Sequence, residues 1–134
     1  MKKTWIQKRD TEKQHKVKVL EKKFADMPEG CRMFIATPKI IDAYLRSIPL
    51  GTSVELSTMR KDLALSNEAE MTCPVTTGIF LRVASEAALE ELALGKTLDE
   101  VAPFWRVVKA ESKLAAKLNC DLSFIQEQRL LEGL

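Results

Sequence analysis

The stretch from Pro74 to Gly95 constrains the fold of this chain more than any other. Proline suits the first position of a helix, where its missing N–H costs nothing, and glycine suits the residue just past a helix end. Between them Val75, Ile79, Phe80, Val83, Ala84, Ala87 and Ala88 recur at helical spacing, which predicts a long helix whose apolar stripe faces a core. Such a stripe must be covered, and the rest of the chain supplies covering helices. Thr37 is a natural N-cap followed by Pro38, and Ile40, Ile41, Tyr44, Leu45 and Ile48 form one face of a helix that Pro49 and Gly51 stop. Ser57 caps a short helix through Ala64 with Met59 and Leu63 facing inward, and Ser66-Asn67-Glu68 makes a turn. Ser123 and Gln126 have capping-box spacing and open a terminal helix carrying Phe124, Ile125, Leu130 and Leu131.

Less regular pieces lie between these helices. Thr97-Leu98-Asp99-Glu100 has capping-box spacing, predicting a brief helical turn before Pro103. Trp105 to Lys109 reads as an extended segment, and Glu111-Ser112-Lys113 as a turn before the Leu114 region. The expected fold is therefore mostly α (α with small β): a winged helix-turn-helix in which the long helix follows a short one. A short sheet is expected around residues 30–36 and 105–109, the second stretch forming the wing. With 134 residues and no internal repeat or low-complexity linker, the chain fits a basic N-terminal arm or helix over 1–30 and one domain over 31–134.

Composition narrows the class without naming an activity. A 46% hydrophobic and 30% charged chain is an ordinary soluble globular one. Cys31, Cys73 and Cys120 are far apart and make no Cys-x-x-Cys pair, and His15 is the sole histidine, so neither a metal site nor a disulfide framework is expected. No cofactor is implied. The basic N-terminus is not followed by an apolar signal core, and no apolar run reaches membrane-spanning length, which points to a cytoplasmic protein with no membrane partner.

Charge is the best compositional clue to a partner. Residues 1–23 hold nine Lys and Arg, Lys16 and Lys18 among them, against three acids, a net of +6; the whole chain is +2, leaving −4 for the remainder. A basic segment on a mildly acidic body suits contact with nucleic-acid phosphates. The plainer alternative is a solvated amphipathic helix, because Val17, Leu20, Phe24 and Met27 also recur at helical spacing. Thr72, Thr76 and Thr77, beside the amides that open the Pro74 helix, are placed to bond a DNA phosphate or simply to cap and pack. Cys73 at the same helix start is either a thiol of lowered pKa or a small buried residue, with no histidine in its local segment. Arg106 suits either a phosphate or a carboxylate partner.

The run Pro103-Phe104-Trp105-Arg106-Val107-Val108 resembles the Pro-Cys-His-Arg-Val motif of the 6-O-methylguanine-DNA methyltransferase superfamily. The order of the pieces from residue 38 to 133 is similar too: Ile48-Pro49-Leu50-Gly51 looks like the family's Ile-Pro-x-Gly turn, two helices follow, and Leu130-Leu131 resembles the Leu-Leu of its last helix. In that family the motif cysteine takes the alkyl group from DNA and the histidine relays its proton. Phe104 and Trp105 stand on those positions and can act as neither nucleophile nor base. The family's rotating tyrosine falls near Leu56, its arginine finger near Thr77 and its final glutamate on Leu134, while its hinge asparagine has no counterpart between Thr72 and Pro103.

The resemblance thus implies a non-catalytic alkyltransferase-like protein in DNA repair. Its expected partner is duplex DNA, alkylated or otherwise damaged, with a base pocket at Phe104 and Trp105 in which one ring lines the cleft and the other packs; on the residues alone, both rings fill the core beneath the wing. Two alternatives accompany it. One is an active DNA alkyltransferase whose nucleophile has moved to Cys73. The other is an adaptor on the same fold that binds a protein partner.

Overall fold

The computed structural model describes residues 2–134. In chain order the elements are α1 (Trp5–Asp10), β1 (Lys16–Val19), β2 (Arg32–Ile35), α2 (Pro38–Ser47), α3 (Leu56–Ser66), β3 (Met71–Thr72), α4 (Pro74–Ala93), a 3-10 turn (Phe104–Arg106), α5 (Lys113–Lys117) and α6 (Leu122–Leu131). The architecture is mostly α with one small sheet. Its strands run in the order β1-β2-β3; β1 is antiparallel to β2, with Lys16 opposite Ile35, and β3 is parallel to β2, with Met33 opposite Met71.

Local chemistry explains the helices that the sequence marks most clearly. The Thr37 hydroxyl accepts the Ile40 N–H at 3.2 Å, and Pro38 occupies the first turn of α2. α4 begins at Pro74 and ends in a Schellman motif: Gly95 adopts φ 104°, its N–H bonds the Leu92 carbonyl, and the Lys96 N–H bonds that of Glu91. Two starts differ from expectation. α3 begins at Leu56 rather than Ser57, because Glu55 is held by Lys109 at 2.6 Å and the Val54 N–H bonds the Arg106 carbonyl. α6 begins at Leu122 behind Asp121, with no side-chain cap, so the Ser123–Gln126 capping box does not form.

Phe34, Ile41, Leu45, Met59, Leu81, Phe104 and Ile125 fill the main core between α2, α3, α4 and the segment after Pro103. A satellite cluster of Leu20, Met27, Cys31, Met33 and Cys73 lies under the loop that joins β1 to β2.

Several expectations are corrected here. The wing is absent: Phe104–Arg106 turns as a 3-10 helix and no strand forms over 105–109, because this segment is buried and bonded to distant backbone. The strand at 32–35 does form, but its partners are β1 and β3. Residues 17–27 are not a helix; the Lys-Val-Lys-Val alternation of β1 takes its place, and of the expected apolar face only Leu20 and Met27 are buried. Residues 97–100 make a hydrogen-bonded turn rather than helix, Thr97 and Glu100 bonding each other in both directions. On α6, Leu130 and Leu131 are exposed, and the last turn buries Gln128 instead.

Residues 2–30 are built into the body rather than forming a free arm. The Trp5 and Ile6 amides, orphaned at the start of α1, donate to the Glu90 carboxylate of α4 at 3.1 and 3.0 Å. At the other end of α1, Arg9 pairs with the buried Glu91. Burial raises the Glu91 carboxyl, yet hydrogen bonds from Lys96 and Arg9 outweigh it and leave the pKa below the usual glutamate value. Two adjacent glutamates thus clamp both ends of α1 to the second half of α4.

Candidate nucleic-acid interface

Docking α1 against α4 fixes which face of α4 remains open. Val83, Ala84, Ala87 and Ala88 are buried as their spacing predicts, and Phe80 is half-buried. Val75 and Ile79, expected in the same stripe, are each 54% exposed. The reason is registration: the first turns of α4 turn Thr77 and Leu81 inward, so the 75–79 edge projects into solvent.

A groove lies on each side of this apolar ridge, and cations line both. Between α1 and the ridge is a groove of about 650 Å³ whose rim carries Lys3, Lys8, Lys13, Arg82 and Lys117. On the other side, beneath the loop after β1, a second groove of about 600 Å³ carries Lys18, Lys22 and Lys23, with Glu21 the one carboxylate in its lining. Among the described residues the ion-paired lysines are Lys39, Lys96 and Lys109, none of which lines either groove. The groove lysines are therefore free of carboxylates. Three groove cations sit over aromatic rings: Lys8 Nζ lies 4.2 Å and the Arg82 guanidinium carbon 5.3 Å from the Trp5 centroid, and Lys13 Nζ lies 5.1 Å from that of Phe80.

The residues that the sequence singled out are divided by this geometry. Thr76 lines the second groove, and its hydroxyl oxygen is buried without a hydrogen-bond partner. Lys18 lines the same groove, whereas Lys16 stands exposed on β1 outside both. Thr72 and Thr77 are corrected: both are fully buried, and their hydroxyls are spent on the Arg60 and Cys73 carbonyls, each at 2.6 Å. Neither reaches a phosphate. Cys73 lines the floor of the second groove at 4% exposure and packs in the satellite cluster, and no histidine lines that groove. His15 instead lies against the Phe34 ring, 5.6 Å between centroids.

The expected base pocket is also corrected. Phe104 is fully buried and Trp105 is 3% exposed; the two rings meet edge to face at 5.4 Å, and both pack on Phe124. They are core. Arg106 takes the carboxylate of the two partners open to it. Its Nε donates to Glu132 Oε1 at 2.8 Å and its Nη1 to the Ile48 carbonyl at 2.7 Å, while Trp105 Nε1 donates to Glu132 Oε2 at 2.6 Å and the Gly51 N–H to Glu132 Oε1 at 3.0 Å. One carboxylate thus ties the Ile48–Gly51 turn to the Phe104–Arg106 turn. The resemblance set the glutamate position on Leu134, but Glu132 is the carboxylate that faces residue 105. Burial pushes the Glu132 carboxyl up; the hydrogen bonds from Arg106, Trp105 and Gly51 pull it further down, so it remains an anion below the usual glutamate range.

Sequence reasoning counted Lys3, Lys8 and Lys13 in the basic segment but had no means of seeing that they share a groove with Arg82 and Lys117, which come from distant helices. Trp5 and Phe80 were missed as the rings that hold those cations. Among the described residues no group of His, Cys, Asp and Glu is arranged to hold a metal, and no helix is long and apolar enough to cross a membrane. No family model matches the chain, and neither a curated protein nor a solved structure matches it.

Proposed function

We propose that this chain is a non-catalytic DNA-binding protein that meets duplex DNA through the opening turns of α4. The observation that carries the reading is the exposed Val75–Ile79 ridge flanked by two grooves whose lysines have no carboxylate partner. A helix seated in a major groove has a phosphate strand on either side, so cations are needed on both flanks of the exposed face. Apolar side chains on such a ridge suit the thymine methyl group, and the lysines supply affinity by releasing counterions. In this reading α3 and α4 act as the two helices of a helix-turn-helix. The β1–β2 hairpin and its lysine-bearing loop occupy the flank where a wing was expected at 105–109.

The alkyltransferase resemblance supports the DNA reading but not the chemistry. Transfer requires a thiolate and a base beside the alkyl carbon, and Phe104 and Trp105 provide neither. With both rings in the core, a 6-O-methylguanine duplex and a plain duplex are expected to bind with similar affinity.

Both points are tested together by titrating the protein against the two duplexes over a range of salt and recording the intact mass after incubation. Log K is expected to fall with log salt at a slope of about −0.9 per phosphate contact. A Lys18→Gln/Lys22→Gln/Lys23→Gln variant is expected to flatten that slope. Undetectable binding at low salt would overturn the reading in favour of a protein-interaction adaptor. A stoichiometric methyl adduct, lost in Cys73→Ser, would replace it with a relocated-nucleophile enzyme.

A further inference from the structure

The groove between α1 and α4 has more apolar floor than a phosphate strand can use. Val75, Ile79, Leu81 and Leu114 lie along it, and Trp5 and Phe80 add aromatic surface, while every charged group of its rim is a cation. A duplex backbone presents only sugar and phosphate to a protein surface, which leaves such a floor uncovered. An unpaired strand presents bases as well, whose faces stack on aromatic and apolar side chains while the phosphates follow a basic rim. Apolar surface rimmed by charge of one sign marks a place of binding, and the sign selects an anion.

We propose that this groove is a site for an unpaired stretch of DNA strand, with Trp5 as its stacking platform. The inference rests on the DNA-binding reading and names a substrate class within it: duplexes that carry a single-stranded extension or gap. The cations over the rings give the site its working order. Lys8 is held near the Trp5 ring and Lys13 near that of Phe80 without any carboxylate that binding would have to displace, while Arg82, also near Trp5, keeps Glu86 at 3.9 Å. A base that stacks on Trp5 takes the place of a cation on that ring and frees it for the adjoining phosphate. For Lys8 the exchange is one attraction for another, and no ion pair is broken.

Three DNAs of one sequence provide the test: a blunt duplex, the same duplex with a single-stranded extension of about ten nucleotides, and the single strand alone, the length lying within the range such grooves track. Anisotropy titration is expected to give at least about tenfold tighter binding of the extended duplex than of the blunt one, a difference typical of one good base stack. The chain has two tryptophans, and Trp105 is buried, so quenching of intrinsic fluorescence by the extended duplex but not the blunt one reports on Trp5. In Trp5→Ala the ratio of the two affinities is expected to fall toward one, and in Trp5→Phe, which keeps a ring, most of it is expected to remain. Equal affinities in the native chain, an unchanged ratio in Trp5→Ala, or absence of quenching would each overturn the inference while leaving duplex binding intact. Failure of all three DNAs to bind at low salt would overturn the DNA reading itself.

Discussion

Glu132 shows how one side chain can join two turns of the chain. Its carboxylate accepts from Trp105, Arg106 and the Gly51 amide, and both it and Arg106 are largely shielded from water. Removing one member of a shielded pair leaves the other uncompensated, so Glu132→Gln is expected to lower stability by about 3 kcal/mol in chemical denaturation. The pH dependence has a definite sign. A carboxyl whose folded pKa is depressed contributes stability that is complete above its unfolded pKa, about 4.3, and is lost as pH falls through the lower folded value. The native chain is therefore expected to lose stability below about pH 4 more steeply than Glu132→Gln, and urea midpoints measured from pH 7 down to pH 3 would show the two curves converging. Beside this anion Phe104 is pure packing; Phe104→Ala is expected to cost about 3–5 kcal/mol, the usual range for emptying a core aromatic site.

At the scale of elements, α1 is a helix of six residues, far too short to persist unaided, so its presence depends on α4. Glu90→Ala removes the acceptor of the Trp5 and Ile6 amides and is expected to cost about 1–2 kcal/mol; the loss should also appear as faster hydrogen exchange confined to residues 5–10. The same dependence explains what was legible in the sequence. α2 and the limits of α4 were readable because caps, prolines and Gly95 act on their own neighbours. The exposure of Val75 and Ile79 was not, because the inward turn of Thr77 and Leu81 is set by packing against a core assembled from distant parts of the chain. Val17, Leu20, Phe24 and Met27 fit a helical period as well as a strand does, and only the pairing of Lys16–Val19 with Arg32–Ile35 decides for the strand. Trp105 to Lys109 read as extended because the partners that turn the chain there, Ile48 and Glu132, lie 58 and 26 residues from Arg106. The candidate site was half visible: the lysine count marked a basic segment, but grouping those lysines with Arg82 and Lys117 needed the fold.

For the whole molecule, the basic segment and the body cannot be separated. Deleting residues 1–23 removes α1, β1 and a clamp on α4 together with nine cations, so the truncated chain is expected to show a broadened, non-cooperative melt rather than a folded protein with weaker DNA affinity. Charge-neutral glutamine variants are the informative comparison. If the native fold alone binds DNA, saturating duplex at about 100 times Kd is expected to add about 2.7 kcal/mol to stability, readable as a rise in Tm that vanishes at high salt. The satellite cluster beneath the second groove adds a property of another kind. Four of its five buried members, Met27, Cys31, Met33 and Cys73, carry sulfur, the most polarizable and least directional packing material a protein has. A cushion of that sort accommodates small shifts of the lysine loop above it relative to α4 without opening voids. The same softness is an oxidative weakness, since converting Met27 or Met33 to the sulfoxide would force a polar oxygen into this cushion and stiffen or expel the loop that rests on it.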